Sequence, residues 1–255
     1  MIRMQSLTSA TFQSKVNNHE INDDYIYFLT DTKQIYKGEV AYGANPDLYE
    51  NITENLLNGL NNIEDTLNGN STIKNAYITI ANNHTLNNSF TTTANNVNYY
   101  IMGNNCQLTI SNNFNFSGNY NEFNNIVFNV NNLTGGITTI TKNTVFKNCK
   151  FYLTNSKAFT ITLNAGCSVE FINCYFVGNG DILNIVNTSA SAFRMTNITN
   201  CIMNGTVKVN STNPEEVVNI TYTKGITINE NESNQADIYD MTEPIFNTVE
   251  IVGGD

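Results

Sequence analysis

Basic residues are scarce in this chain, and their scarcity excludes one class of partner at the outset. Of the 255 residues only 12 are Lys or Arg, against 22 Asp or Glu, and the formal net charge is −10. Binding to a phosphate backbone requires clustered positive charge, whereas the basic residues here are scattered along the chain. We therefore expect no nucleic acid among the partners of this protein.

Long apolar runs are missing as well. No stretch approaches the roughly 20 apolar residues that span a bilayer, so we expect no membrane insertion. The first residues, MIRMQSLTSATFQSK, lack the apolar core of a secretory signal peptide. The sequence therefore favours folding in a bacterial cytoplasm over export by the usual route.

Cysteine and histidine do not occur in the spacings that bind metals. The five cysteines are an odd number without a CxxC pair, which argues against a disulfide framework and a zinc site. We expect them to be buried, reduced thiols that pack as small hydrophobic side chains. His19 and His84 lie far apart and have no ligand spacing around them. We therefore predict no metal site and no cofactor.

Charged residues make up only 13% of the chain, and Asn fills much of their place with 49 residues. Trp is absent and Pro occurs three times, whereas Val, Ile, Thr, Phe and Tyr are frequent. β-Branched and aromatic residues favour strands, and Asn tolerates the left-handed backbone conformation found in tight turns. This composition predicts an all-β protein with many short strands and turns.

The first region, residues 1–44, contains a predicted β-hairpin. Residues 25–29 form one strand, residues 30–33 the turn, and residues 34–37 the second strand. An isolated hairpin is only marginally stable in water, so we expect this module to pair with another copy or with a partner. The predicted attachment residues are Tyr25, Tyr27, Phe28, Asp31, Ile35 and Tyr36.

The second region, residues 45–73, has the pattern of an amphipathic helix. Asn45 suits the N-cap, Pro46 the first helical position and Asp47 the positive end of the helix dipole. One apolar stripe follows at steps of four and three residues, formed by Leu48, Ile52, Leu56, Leu60, Ile63 and Leu67. The stripe packs either on its own chain or against identical helices around an axis. We favour the second arrangement, a trimeric helical neck, because no other helix in the sequence could receive the stripe.

The third region, residues 74–228, repeats a short pattern. Four segments share the order apolar, any, Asn, Ile or Cys, any, apolar, at intervals of 23, 25 and 27 residues, and they begin at Phe123, Phe146, Phe171 and Ile198. A weaker fifth copy covers residues 104–108. Short β-rich segments at such a period predict a parallel β-solenoid, with right-handed winding as the commoner form.

Stacked coils would place like residues over like residues about 4.8 Å apart. We expect Phe, Ile and Cys to form inward ladders, and Asn to lie at each bend and bond to the Asn of the next coil. The predicted ladder residues are Phe123, Asn125, Ile126, Phe146, Asn148, Cys149, Phe171, Asn173, Cys174, Asn200 and Cys201.

The last region, residues 229–255, is acidic. A solenoid needs a cap on its open end, so we predict a terminal cap or a tip that contacts a partner. A solvated acidic tail is the alternative.

Carboxylates are too few in the repeat region to indicate an active site. Glycan-degrading enzymes need paired acids in a groove. Glu170 and Asp181 lie within one predicted coil, and the next coil offers no acid beside them. We therefore interpret them as solvated surface acids, and we predict no catalytic residues and no enzymatic activity.

The segment YIYFLTDTKQIYKG, residues 25–38, resembles a module near the N-terminus of appendage proteins from phages that infect gut Bacteroidetes, the crAss-like phages among them. The Asn-rich repeats downstream are similar in style to phage head and tail fibres, which are usually homotrimers. The resemblance implies a location in the virion, with the N-terminal end bound to capsid or tail proteins and the C-terminal end facing outward. It implies no catalytic residues.

Pattern and resemblance together predict a trimeric head- or tail-fibre protein whose exposed Asn, Thr and Tyr contact host surface glycans. One alternative is a β-helical polysaccharide depolymerase of the tail, which would need two acids brought together across coils or subunits. Another is a bacterial surface adhesin, which would need an export signal. The shaft is either three parallel solenoids or interwoven strands of three chains.

Overall fold

A parallel β-solenoid forms most of this protein, as the sequence predicted. The computed structural model describes residues 3–31, 34–42, 47–94, 96–111, 114–130, 142–153, 159–161, 163, 165–187, 193–230 and 234–241. These ranges contain two helices and 23 strands, and most strands pair in parallel within one nine-stranded and one eight-stranded sheet. The predicted all-β, parallel solenoid class is thus confirmed.

The N-terminal module is a small sheet with one helix packed on it. Its elements are β1 (Arg3–Leu7), α1 (Ser9–Asn17), β2 (Tyr25–Leu29), β3 (Ile35–Lys37) and β4 (Val40–Tyr42). β2 and β3 pair antiparallel, as the predicted hairpin requires, while β1 lies parallel to β2 and β4 antiparallel to β3. The chain thus adds a strand on each side of the hairpin, which is therefore not isolated, and the expectation that the module pairs with another copy or with a partner stays a prediction.

Helix α1 covers one face of this sheet. Phe12 is buried, and its ring centroid lies 5.4 Å from that of Tyr27 and 4.4 Å from that of Tyr36. Leu29 is buried in the same cluster, and Tyr25 packs against it. Aromatic and aliphatic packing between helix and sheet therefore forms a separate small core.

Asp31 holds the start of helix α1. Both of its carboxylate oxygens accept a hydrogen bond from the backbone N–H of Ser9 at 2.9 Å, where negative charge is favoured by the helix dipole. Four of the six predicted attachment residues, Tyr25, Tyr27, Asp31 and Tyr36, therefore maintain the module itself.

The opposite face of the sheet is open and apolar. Met4 is 73% exposed and Val40 63%. The pairing places Met4 beside Ile26 and Phe28 beside Ile35, and it places Lys37 between Ile26 and Val40, so this face carries one cation among its apolar side chains. We call Met4, Ile26, Phe28, Ile35 and Val40 the open apolar face.

The helix predicted from residue 45 to about residue 68 is a strand followed by a shorter helix. β5 (Leu48–Ile52) pairs in parallel with the next strand of the chain, and α2 (Leu56–Gly69) begins after its N-cap, Asn55. The predicted start was wrong, because β5 supplies the first rung of the nine-stranded sheet and this pairing outweighs helical periodicity. Residues 45–46 lie outside the described residues.

Helix α2 lies at the first end of the solenoid and covers it with its apolar stripe. Leu56, Leu60, Ile63 and Leu67 are at most 4% exposed and belong to the same core as the solenoid strands. The receiver of the stripe is therefore the end of the solenoid and not another helix. Because the stripe is buried within one chain, it no longer argues for a trimeric neck.

A buried carboxylate ties helix α2 to the solenoid. Glu64 is 7% exposed, and its Oε2 accepts from the backbone N–H groups of Thr93 and Ala94 at 2.6 and 3.1 Å. Its Oε1 accepts from the hydroxyl of Tyr99 at 2.6 Å. Burial, and then the hydrogen bond to Glu64, raise the pKa of Tyr99. The end of the solenoid is thus held by polar bonds as well as by the stripe.

The remaining strands follow in chain order. They are β6 (Asn75–Ile80), β7 (His84–Leu86), β8 (Phe90–Thr91), β9 (Asn98–Met102), β10 (Gln107–Ile110), β11 (Phe114–Asn115), β12 (Tyr120–Asn124), β13 (Val127–Val130), β14 (Asn143–Lys147), β15 (Lys150–Leu153), β16 (Phe159–Ile161), β17 (Ser168–Ile172), β18 (Tyr175–Asn187), β19 (Arg194–Thr199), β20 (Ile202–Ser211), β21 (Glu216–Thr221), β22 (Lys224–Glu230) and β23 (Asp237–Met241).

The strands stack into three sheets. The nine-stranded sheet has the order β5-β6-β9-β12-β14-β17-β19-β21-β23, the eight-stranded sheet the order β7-β10-β13-β15-β18-β20-β22 with β16 beside β18, and β8 pairs with β11. The solenoid therefore extends from Leu48 to Met241, beyond both ends of the predicted 74–228. Residues 242–255 of the predicted tip lie outside the described residues.

The predicted inward ladders are present. In the nine-stranded sheet Phe123, Phe146 and Phe171 are partners in register, with ring centroids 5.0 and 5.1 Å apart. Ile198 follows in the same column. A second column in the eight-stranded sheet contains Phe128, Phe151, Phe176 and Met203. The four repeated segments thus stack as rungs.

Asn lies at each bend, as predicted. Asn125, Asn148, Asn173 and Asn200 have φ of 58°, 53°, 54° and 52°. The Nδ2 of Asn200 donates to Asn173 at 2.8 Å, and that of Asn173 to Asn148 at 3.3 Å. Asn148 donates to Asn124 instead of Asn125, so the side-chain ladder does not include Asn125.

A buried apolar residue follows each of these bends. Ile126, Cys149, Cys174 and Cys201 are at most 2% exposed, and the three Sγ atoms each lie 3.4 Å from the backbone carbonyl of a ladder Phe. All five cysteines are buried and none forms a disulfide, which confirms the expectation of packed, reduced thiols. Burial raises the pKa of Cys106 to about 11.

Tyr222 occupies the bend after Asn200, with φ of 51° and its N–H bonded to the carbonyl of Met241. The left-handed conformation is costly for tyrosine and tolerated by Asn. We expect Tyr222→Asn to raise the free energy of unfolding by about 1 kcal/mol, measured by urea denaturation. Tyr239→Asn, at an exposed position within a strand, should give no such gain. An unchanged or lower stability of Tyr222→Asn would contradict the bend argument.

Removal of the Glu64 carboxylate tests the attachment of helix α2. Glu64→Ala leaves two backbone N–H groups and the Tyr99 hydroxyl without their acceptor, so we expect a loss of at least about 2 kcal/mol in the free energy of unfolding. Asp65→Ala, at the exposed neighbouring position of the same helix, is the matched control and should change stability little. Equal effects of the two substitutions would show that Glu64 has no special role.

Candidate functional site

In-register stacking also aligns side chains on the outside of the nine-stranded sheet. Tyr49, Tyr77 and Tyr100 are register partners on β5, β6 and β9. Their ring centroids lie 4.9 and 4.8 Å apart, with interplanar angles of 11° and 12°. The ring of Tyr120, whose register partner is Asn98 and not Tyr100, lies beside Tyr100 at 5.7 Å in a tilted orientation. We call these four residues the tyrosine stack.

The alternation of a strand turns these rings outward. On β6, Ala76, Ile78 and Ile80 are buried in the core, so Tyr77, between Ala76 and Ile78, points to the other face. Tyr49 is 71% exposed, because β5 is the edge strand of the sheet. One ring face of Tyr49 therefore packs on Tyr77, while the other faces away from the stack.

A row of polar side chains runs beside the tyrosine stack. Asp47, Asn75 and Asn98 each lie two residues before a stacked tyrosine. The Nδ2 of Asn75 donates to Oδ1 of Asp47 at 2.8 Å, and the Nδ2 of Asn98 donates to Oδ1 of Asn75 at 3.0 Å. We call these residues the amide row. Its hydrogen bonds fix the orientation of the amide groups along the surface.

The other end of the tyrosine stack is charged. The Tyr120 hydroxyl donates to Oε2 of Glu122 at 3.0 Å, and Nζ of Lys147 lies 2.8 Å from the same oxygen. Partial burial, followed by the bond and the charge of Glu122, raises the pKa of Tyr120. Its phenol therefore stays protonated near neutral pH and donates its hydrogen bond.

The acids considered from the sequence are not brought together as a pair. Glu170 is on β17 of the nine-stranded sheet, whereas Asp181 is on β18 of the eight-stranded sheet, where its carboxylate lies 2.6 Å from Nζ of Lys208. Glu170 instead shares an outward column with Glu122, with Val145 between them. Two inter-strand spacings separate the two backbones, about 10 Å.

A polar groove lies between β5 and helix α2. Its volume is about 470 Å³, and its polar lining comes from Glu50, Asn51, Thr53, Glu54, Asn55, Asn58, Asn62 and Thr66. It adjoins the edge strand that carries Tyr49. Two exposed carboxylates, Glu50 and Glu54, make this end of the solenoid acidic.

Within the described ranges, no cluster of three or more His, Cys, Asp or Glu side chains could hold a metal ion. A search of the same residues found no helix long and apolar enough to cross a membrane.

Sequence reasoning missed the tyrosine stack. Tyr49, Tyr77 and Tyr100 follow one another at 28 and 23 residues, close to the interval of the recognised repeats, and this period was the available signal. It was hidden because Tyr49 fell within the predicted helix. Glu64 was missed for a related reason: it lies four residues after Leu60 and three before Leu67, on the buried side of helix α2.

Comparisons with protein-family models, with curated proteins and with solved structures found no match. The fold defines the class of this protein as a parallel β-solenoid that follows a small N-terminal helix-and-sheet module.

Proposed function

We propose that this protein is a structural, non-enzymatic fibre of a phage head or tail, in which the solenoid forms a rod and the N-terminal module attaches to the particle. The observation that carries the proposal is the unbroken in-register stacking of nine strands between Leu48 and Met241. Nine strands at a spacing of about 4.8 Å extend over roughly 40 Å. A stack of this kind serves as a spacer between two points.

The interior of the rod is filled with packed apolar side chains, which make the rod rigid. Stacked phenylalanines occupy three successive rungs of both inward columns, and the thiols beside them are buried. Packed aromatic ladders hold each rung in register, and a repeat protein of this kind gains stability from every neighbouring rung. These features support a mechanical role, with the outer surface available for contacts.

The N-terminal module is the feature that supports attachment to a phage particle. Its sequence YIYFLTDTKQIYKG resembles an N-terminal module of phage appendage proteins, and it folds as a separate core with its own helix. Capsid or tail proteins are the proposed partners at this end. The far end of the rod would then point toward the host cell.

A polysaccharide depolymerase is the second candidate, and one observation favours it. Glu122 and Glu170 lie in the same outward column of the nine-stranded sheet, two strands apart, so both carboxylates are on one surface, as a pair of glycosidase acids must be. Against it, Glu122 is engaged by Lys147 and Tyr120. The adhesin alternative still requires an export signal.

Immunogold labelling of purified phage particles tests the main proposal. Antibodies raised against residues 74–228 are expected to decorate the head or the tail, because the rod projects from the particle. Absence of the chain from particles would contradict a virion role.

The same purified protein is expected to release no reducing ends from host capsular polysaccharide. The depolymerase would replace the fibre proposal if the protein released reducing ends, if Glu122→Gln and Glu170→Gln each abolished this release, and if Asp181→Asn did not.

We further propose that the fibre is a homotrimer and that its copies associate through the open apolar face. Met4, Ile26, Phe28, Ile35 and Val40 lie on one exposed face, with Lys37 between Ile26 and Val40, and exposed apolar side chains grouped in this way mark contact sites. In this proposal the open apolar face forms the contacts between copies that the sequence analysis assigned to the helical neck. Because one chain supplies every rung of its solenoid, the shafts of such a trimer would be three separate solenoids and not interwoven strands.

Measurement of the mass in solution tests this assembly. We expect three times the chain mass of 28.4 kDa, and we expect the double substitution Met4→Ser, Val40→Ser to shift the protein to the single-chain mass. Ile202→Ser, at an exposed position of the solenoid, should leave the assembly intact. A single-chain mass for the unmodified protein would contradict the trimer.

A further inference from the structure

We infer that the exposed ring of Tyr49, at the end of the tyrosine stack, binds a neutral hexopyranose unit of a glycan chain, with Asp47 and Asn51 meeting the hydroxyl groups beside the ring. This inference rests on the proposed fibre function, because it names the ligand class of the rod surface. It assigns the contact to the first end of the solenoid and not to the far tip.

The ring of Tyr49 is held in a fixed orientation before any ligand binds, and it serves as a stacking platform. Its inner face packs against Tyr77 at 4.9 Å and 11°, and Tyr77 packs against Tyr100 in the same way. The rings behind restrict its rotation, so little side-chain freedom is lost when a ligand stacks on it. β5 has no strand on its other side within the described residues, and Tyr49 is the most exposed aromatic residue among them.

A pyranose ring matches this platform. One of its faces carries several C–H groups with partial positive charge, and the face of an aromatic ring is negative. Stacking of the two buries apolar area on both sides, while the hydroxyl groups at the rim of the sugar remain available for hydrogen bonds. A flat aliphatic or peptide surface lacks this combination of an apolar face and a polar rim.

Polar groups lie on both sides of the ring. Asn51 follows Tyr49 by two residues on β5, so their side chains share one face, and Asp47 lies two residues before Tyr49, just ahead of the strand. Oδ1 of Asp47 already accepts from Asn75, which holds the carboxylate beside the ring. A carboxylate and an amide together accept from and donate to vicinal hydroxyls.

The surrounding charge selects against acidic sugars. Asp47 flanks the ring, Glu50 and Glu54 line the adjoining groove, and the whole chain has a net charge of −10. Uronates and sulfated sugars would be repelled at this end. The favoured ligand is therefore a neutral hexose polymer.

Saturation-transfer NMR with defined oligosaccharides tests the site. The probes are the hexamers of α-1,4-glucose, β-1,4-glucose, β-1,4-mannose and β-1,4-N-acetylglucosamine, with hexagalacturonate as the acidic probe. We expect transfer to the ring C–H protons of at least one neutral hexamer and none to hexagalacturonate. Because the chain contains no Trp, quenching of tyrosine fluorescence provides a second reading of the same binding.

Matched variants locate the binding. Tyr49→Ser should weaken it by about tenfold or more, whereas Tyr49→Phe should retain it, because the ring face carries the contact. Tyr152→Ser removes an exposed tyrosine from the other large sheet and should leave binding unchanged. Tyr49→Phe and Tyr152→Ser should unfold at the same urea concentration as the unmodified chain, whereas Tyr49→Ser loses its stacking on Tyr77 and should unfold at a slightly lower concentration, so binding is compared without urea, where all three variants are folded.

Several outcomes would overturn the inference. They are failure of every neutral hexamer to bind, equal binding by Tyr49→Ser, and binding of hexagalacturonate as strong as that of the neutral sugars. Capture of an unstructured basic peptide by the β5 edge, in place of the sugars, would assign this end to a protein partner instead. Immunogold labelling decides the fibre role independently, so labelled particles without sugar binding would remove this site and leave the proposed function intact.

Discussion

The left-handed bend between the two large sheets is the constraint on which the rest of the structure depends. At Asn125, Asn148, Asn173 and Asn200 the backbone turns at φ between 52° and 58°, and the N–H of each bend residue donates to a carbonyl of the next rung. Asn adopts this conformation at low cost. Because each rung turns at an equivalent residue, every strand starts in register with its neighbour.

Register alignment at the bend determines both surfaces of the nine-stranded sheet. Inward positions meet like residues and form the phenylalanine column, in which rings stack at about the strand spacing. Outward positions are aligned by the same pairing, and Tyr49, Tyr77 and Tyr100 stack outside for the reason that Phe123, Phe146 and Phe171 stack inside. The surface proposed to bind sugars is thus a product of the backbone ladder and required no separate fold.

A stack of parallel strands has two open ends, and different elements lie at the two ends of this solenoid. Helix α2 covers the apolar interior at the first end and is anchored by Glu64. Acidic side chains lie at both edges of the sheet. Glu50 and Glu54 lie at the edge of β5, and Asp237 and Asp240 lie on β23 at the far end. Like charges at both ends oppose end-to-end pairing of solenoids, which agrees with the proposal that copies associate through the N-terminal module.

The sequence alone determined the repeated elements, because a period of about two dozen residues is a local pattern that needs no knowledge of the third dimension. The hairpin at Tyr25, the bend asparagines, the buried thiols and the inward phenylalanines were all predictable in this way. Tertiary structure decided the features that had no local signal. Leu48 and Ile52 belong to a strand, and the apolar stripe of α2 packs on the solenoid of its own chain. In the N-terminal module, β1 pairs with the hairpin and α1 packs on it. Each of these depends on burial against residues distant in sequence, and such burial outweighs local periodicity because the apolar area it removes from water contributes more than helix propensity.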